Sequence, residues 1–373
     1  MPSLVDPTTL SAPAQRILGA PPKLQEMAAK GIAPGIRPAE LVLLLVLYAQ
    51  GDPQGQRDPG LVDIASKTLG ALPEPVLQGA IGSELAAPAI HELALRYHER
   101  VEVLERLLSM PAVDMETVEE IARIGGEAAC EWVATNEQRL LANPKIIERL
   151  YLNRNTRMST ADRLVELAVR NQVVLEIPAW KEVAAAIGEE LIMEPTDEAS
   201  PDDLLFKETR ALADQLASDE VDVFDEDDEG NQRLVDKFIP LQARISMMTP
   251  SQKVRTATLG NKEERMILIR DNNRLVAVAA VRSGGFSMAE AEKVAGNRSI
   301  AEEVLRIIGS TPEFTQSYVV KKQLAENPKC PVQIAMKLII HLRENDLRAI
   351  ARSKNVTGPV KEAAMRHLER RKH

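Results

Sequence analysis

Residues 319–338, VVKKQLAENPKCPVQIAMKL, read as an apolar helix end, a break at Asn327-Pro328 and a fresh helical start. The same order recurs at Leu107-Leu108-Ser109-Met110-Pro111 and Leu140-Leu141-Ala142-Asn143-Pro144, where leucines precede a polar residue or Met and then Pro. Asn tolerates the left-handed conformation that ends helices, and Pro cannot continue a helix but suits the first turn of the next. The breaks therefore predict short helices joined by tight turns. Pro111 and Pro144 stand 33 residues apart, a spacing usual for two-helix repeats.

Outward from this stretch the pattern continues. Leu275–Val294 aligns with Val319–Leu338 at an offset of 44, and Val294–Ile300 aligns with Ile350–Val356 at an offset of 56. Capping-box spacings mark helix starts at Thr249–Gln252, Asn261–Glu264, Ser287–Glu290, Ser299–Glu302 and Ser310–Glu313. Apolar sets at i, i+3 and i+4, such as Val304, Ile307 and Ile308, give each predicted helix one face to bury. A single helix pair cannot bury that face alone, so the pairs are expected to stack. The predicted fold class is all-α: an α-solenoid of stacked short helix pairs of the HEAT-like kind, in two arrays joined by an acidic hinge.

The runs GNKEERMILIRDNNRLVAVAAVRS (260–283) and LAENPKCPVQIAMKLI (324–339) resemble a group of uncharacterised bacterial α-helical repeat proteins, which in turn look like HEAT and leucine-rich-variant repeats. The resemblance is best over 250–373, looser over 60–185 and absent from the acidic segment. Its motifs are structural and imply no active site. Some leucine-rich-variant proteins carry an iron–sulfur cysteine cluster, and this sequence has nothing to match it.

Composition agrees with helix. Apolar residues make up 45% of the chain but aromatics only 3%, so the core must be built from Leu, Ile, Val, Ala and Met. Cys130 and Cys330 lie 200 positions apart, which excludes a CxxC metal cluster and argues against a disulfide-stapled secreted fold. MPSLVDPTTLSAPAQ at the N-terminus lacks the basic start and apolar stretch of a secretory signal. The strongest apolar run, Leu41–Ala49, would span about 13 Å as helix against a hydrocarbon core of about 30 Å. No membrane insertion and a cytoplasmic location are expected.

The net charge of −9 conceals a division: residues 251–373 hold 23 Lys+Arg against 13 Asp+Glu, whereas residues 189–229 hold 17 acidic side chains and 2 basic ones. The predicted organisation is a Pro/Ala-rich segment at 1–36, an N-terminal helical array at 37–188, an acidic hinge at 189–236 and a basic C-terminal array at 237–373. One short helix is expected within the hinge, over Pro201–Ala217, with Leu205, Leu212 and Leu216 on one face. Its flanks carry too little apolar surface to order themselves. Tethered beside the basic array, the acidic segment is expected to lie across it.

Candidate chemistry is sparse. Asp225, Asp227, Glu229, Gly230 and Asp236 follow the spacing of a calcium loop, but position 12 is Asp rather than Glu and Arg233 takes a ligand position. His91 and His98 are seven apart, not the i, i+4 pair of a zinc helix. Gly125-Gly126 and Gly284-Gly285 read as turns, and Trp132 and Trp180 as packing residues. No nucleophile–base or paired-carboxylate arrangement stands out around His91, His98, His341, His367 or His373, and no cofactor is expected. The basic residues Arg255, Lys262, Arg265, Arg270, Arg274, Arg282, Lys321 and Lys322 recur along the C-terminal array and would form an anion- or partner-binding face if the helices stack. The sequence thus points to a non-enzymatic scaffold that binds a protein partner. The alternative is nucleic-acid or other polyanion binding by the basic array, and the third reading is an enzyme whose site has no recognisable motif.

Overall fold

Three of the five capping-box spacings form as the local chemistry dictates. Thr249, Asn261 and Ser287 each accept a hydrogen bond from the backbone three residues on, while Gln252, Glu264 and Glu290 reach back to the cap N–H. They start the helices Pro250–Leu259, Lys262–Leu268 and Met288–Gly296. The other two do not form. The Ser299 hydroxyl donates to Asn297 Oδ1 at 2.8 Å, the next helix begins at Glu302, and Ser310 is that helix's last residue. A further box, Ser200 with Asp203, starts the helix Pro201–Leu216.

The computed structural model describes residues 5–50, 58–188, 198–217, 221–226 and 232–372. Among them the regular structure is α-helical apart from short 3-10 turns and one antiparallel hairpin, Phe224–Glu226 with Gln232–Leu234. No described helix is long and apolar enough to cross a membrane. The chain divides into two compact units, Met1–Leu164 and Val165–His373.

In the first unit the Leu41–Ala49 run lies in the helix Pro38–Ala49, which buries Leu41, Val42, Leu44, Leu45, Val46, Leu47 and Tyr48. Such an all-round apolar helix is stable in water only when enclosed. Pro22–Ala29, Pro59–Gly70, Glu74–Ile81 and Ala87–Arg96 all pack on it. Beyond it, Ala87–Arg96 rests on Met115–Ile124, and Val101–Leu108 on Glu127–Ala134, so that helices meet the next but one in sequence.

The second unit holds two such series. One runs Pro250–Leu259, Arg274–Arg282, Glu302–Ser310, Val332–Ile339, Gly358–Lys372, and the other Met288–Gly296, Tyr318–Glu326, Glu344–Arg352. The offset of 56 pairs helices of the same series, Met288–Gly296 with Glu344–Arg352. The offset of 44 pairs Arg274–Arg282 with Tyr318–Glu326, which belong to different series. The helix Trp180–Ile187, expected to end the N-terminal array, instead buries Val183, Ala186 and Ile187 in this unit, against Pro250–Leu259 and Arg274–Arg282. The helix Pro201–Leu216 likewise packs here, on Ile239–Ser246 and Lys262–Leu268. Its buried face is Asp203, Phe206, Thr209, Arg210 and Ala213, not the leucines expected to cover it. The hinge residues 189–197, 218–220 and 227–231 lie outside the described residues.

The Asn-Pro breaks are made differently from expectation. Asn327 has φ −79° and ψ 119°, an extended conformation and not the left-handed cap. Its side chain explains its presence: Nδ2 donates to the Ala295 and Asn297 carbonyls at 2.9 and 3.0 Å, and Oδ1 accepts from Lys329 N at 3.0 Å. Asn153 does the same in the first unit, donating to the Ala122 and Gly125 carbonyls at 3.0 and 2.9 Å and accepting from Asn155 N at 2.9 Å. Asp271 and Asn297 hold their own loops identically, each accepting from the backbone N–H two residues on at 2.8 Å. Lys329 Nζ also reaches across, to the Ser299 carbonyl at 3.2 Å, but it is exposed. Replacing Asn327 by Ala or Gly strands two buried carbonyls, so both variants should lose about 2 kcal/mol or more of stability. Thermal melts check this, and a neutral or stabilising Gly would restore the left-handed cap as the residue's role.

Candidate functional site

The eight basic residues do not make one exposed face. Arg255 is fully buried, with its guanidinium carbon 5.0 Å from the centroid of the Phe206 ring. Arg265 is buried as well. Both stand on helices that are covered by neighbours, Pro250–Leu259 by Trp180–Ile187 and Lys262–Leu268 by Pro201–Leu216. The expectation that they line a binding face is therefore corrected. Arg274 and Arg282 are exposed and lie 3.6 Å from Glu303 and Glu182 respectively. Lys322 pairs with Asp346 at 2.9 Å, which raises its pKa above the ordinary lysine value. Lys321 is half-buried.

Arg265 anchors a buried ionic node. Its Nε and Nη2 donate to the two Glu290 oxygens at 2.9 and 3.2 Å, and Nη1 donates to the Gly260 carbonyl at 2.7 Å. Glu290 also accepts from Ser287 N and Oγ, at 2.8 and 2.7 Å. One carboxylate thus closes a helix cap and ties that helix to Lys262–Leu268. The loop must pass close by: a Cβ on Gly285 would sit 2.8 Å from Arg265 Nη1.

The remaining two, Lys262 and Arg270, lie beneath the hairpin. Asp222, just ahead of its first strand, is 3.8 Å from Lys262 Nζ and forms an ion pair with Lys293. The Phe224 ring centroid is 3.2 Å from the Arg270 guanidinium carbon. Gln232 Oε1, on the second strand, accepts from Arg270 and, at 3.0 Å, from Asn297 Nδ2. Val223 is buried, and Val235 N donates to its carbonyl at 3.1 Å. Among the described residues Arg270 meets no carboxylate, and desolvation pushes its pKa down to about 10. Sequence reasoning missed Lys293, Asn297, Asp222, Phe224 and Gln232. The available signal was the pair Val223-Phe224, apolar residues inside a run of acids.

The other candidates have structural roles or fall partly outside the described chain. His91 is buried with Nδ1 3.0 Å from Thr117 Oγ1, while His98 Nδ1 donates to the Leu95 carbonyl at 2.8 Å. Asp227, Glu229 and Gly230 of the calcium-like spacing lie outside the described residues, and Asp225 faces Arg233 across the hairpin. No group of three or more His, Cys, Asp or Glu among the described residues could hold a metal. Cys330 lines an open groove with Pro328, Lys329 and Pro331, but burial pushes its thiol up to about 12, far from a reactive thiolate.

The chain matches no family model and no curated protein. Among solved structures it is similar to the crystal structure of an engineered protein, at 13% identity over 97% of this chain and 93% of that one, with a TM-score of 0.29. That likeness carries no argument.

Two outcomes follow from this geometry. Glu290→Ala leaves the Arg265 cation buried and removes a cap, so urea denaturation should show a loss of about 3–5 kcal/mol. The double variant Arg265→Met/Glu290→Met should lose less, because no buried charge is left alone. For His91, burial lowers the pKa against the opposing pull of Glu116, Glu120 and Asp114. The neutral imidazole is then the folded form, and its contribution is present above the unfolded-state value of about 6.5 and lost as pH falls through and below it. Melting temperature should fall between about pH 7 and pH 5, and His91→Gln, which keeps a partner for Thr117, should reduce that slope.

Proposed function

We propose that the chain is an α-solenoid of stacked helix pairs that serves as a non-enzymatic scaffold for a protein partner. The observation that carries this reading is the recurring loop bond. Asp271, Asn297, Asn327 and Ser353 follow every second helix, and each accepts from the N–H two residues on. Their spacings of 26, 30 and 26 residues define a unit shorter than the 33 suggested by Pro111 and Pro144. The offset of 56 is then two units and the offset of 44 about one and a half. Asn327 also fastens its unit to the preceding one, and ties made at the loops in this way leave the outward helix faces free for a partner. Most of the recurring basic residues are engaged inside the unit, which weighs against a phosphate-binding stripe.

A second reading, polyanion binding, is supported by another group. Lys337, Arg352, Lys354 and Arg366 are exposed, and no carboxylate pairs with them among the described residues. Gentle purification of the full chain, with and without nuclease, separates the two. A stoichiometric protein partner that survives nuclease supports the scaffold; recovery of the bare chain in every preparation overturns it. A complex that nuclease dissolves, with affinity falling steeply in salt, transfers the reading to polyanion binding. Small-angle scattering tests the solenoid separately: an elongated array should exceed the radius of gyration of about 21 Å expected for a globular chain of this length.

A further inference from the structure

The hairpin is attached to the array in the manner of a ligand. Asn327 Nδ2 finds its acceptors in backbone carbonyls of the loop before it, Ala295 and Asn297. Asn297 Nδ2 finds its acceptor in Gln232, a side chain of the hairpin. Gln232 thus supplies from outside the series what the preceding loop supplies elsewhere. Around it the array presents three cations, Lys262, Arg270 and Lys293, on two different helices and the turn after one of them. The hairpin meets them with one acid, one aromatic ring and one amide: Asp222, Phe224 and Gln232.

Its hold is weak in identifiable ways. Asp222 is about half exposed and shared between two lysines, and exposed ion pairs contribute little. A two-stranded hairpin is marginally stable by itself. Arg270 is desolvated by burial, with the Phe224 ring against its guanidinium; among the described residues it receives a neutral amide from Gln232, and its Nε has no partner. A carboxylate at the position of the Gln232 amide would make a charge-assisted bond to the same guanidinium, roughly twice as strong as a neutral one.

We infer that the face formed by Lys262, Arg270, Lys293 and Asn297 is the docking site for an extended acidic segment of a protein partner, and that the chain's own hairpin is its resident competitor. The segment that fits carries an acid two residues before an aromatic ring, as Asp222 stands before Phe224, and a second acid that reaches Arg270. This deepens the scaffold reading and rests on it, because it names where and how a partner would bind. An internal occupant lowers apparent affinity by the fraction of molecules in which the face is open. A hairpin docked in nine molecules of ten would therefore weaken an incoming segment about tenfold.

The probe is a fluorescent peptide of residues 221–235, VDVFDEDDEGNQRLV, titrated by anisotropy at low salt into the full chain. The expected results are about tenfold tighter binding to Asp222→Ala/Phe224→Ala than to the native chain, loss of that gain on adding Arg270→Ala or Lys293→Ala, and tighter binding of a peptide carrying Gln232→Glu. Equal binding by native and opened chains overturns the proposal, and so does equal binding of a scrambled peptide. A gain for duplex DNA but not for the peptide also overturns it, in favour of a polyanion site. Should the double variant lose its helical circular dichroism, amide exchange in the native chain decides. Exchange at Phe224–Glu226 must speed up when saturating peptide is added; unchanged exchange overturns displacement. None of these measurements depends on finding the cellular partner, so their failure leaves the scaffold reading to the co-purification experiment.

Discussion

A helix that ends inside a packed protein leaves carbonyl groups without donors, and in this chain the donor is the side-chain amide of a buried asparagine. Asn153 and Asn327 each hold two carbonyls of the loop that precedes theirs in the packing, while their own oxygens fix the turn they sit in. Apolar contact alone would let short helices slide, since one Leu or Ala surface resembles another. The amide does not slide, because a shift of one residue would leave two buried acceptors and one donor unmatched. The register of neighbouring helices is therefore set at their ends, by polar groups, and the apolar faces fill in between.

The same economy governs charge. A core poor in aromatic rings has room for long side chains, and Arg255, Arg265, Glu263, Glu264 and Glu290 are all buried among the helices of the second unit. Opposite charges far apart in sequence meet there: Arg265 with Glu290, Lys253 with Asp271, Arg282 with Glu182. The acidic stretch supplies counterions to the basic array as well, Glu208 to Arg244 and Asp222 to Lys262 and Lys293, so the two regions that look separate in the sequence partly neutralise each other.

What could be read from the sequence was what is decided locally. Helix starts at Thr249, Asn261 and Ser287 were legible because cap and box residue lie three apart. The all-helical character was legible from the scarcity of aromatics and the regular breaks. The role of Asn327 was not, because its acceptors lie 30 and 32 residues back and no local rule distinguishes an amide that caps from one that reaches across. A charge within a helical pattern ordinarily marks a surface residue, and nothing local distinguishes Arg255 and Arg265 from that case. Their burial depends on Trp180–Ile187 and Pro201–Leu216, helices drawn from segments assigned elsewhere. The hairpin escaped notice because strands of three residues within an acidic run give no period to detect.

The long-range bonds that these asparagine amides donate point one way. Asn327 donates to Ala295 and Asn297, Asn297 to Gln232, Asn153 to Ala122 and Gly125; in every case the acceptor was synthesised first. Each such bond therefore becomes available as soon as its own asparagine leaves the ribosome, without waiting for any later residue. The bonds of Asn153 and Asn327 span 28 to 32 residues, and contacts of such separation close sooner than the 65-residue span from Asn297 to Gln232. A chain wired in this sense can settle turn by turn in the order of translation, every new helix end catching on one already in place.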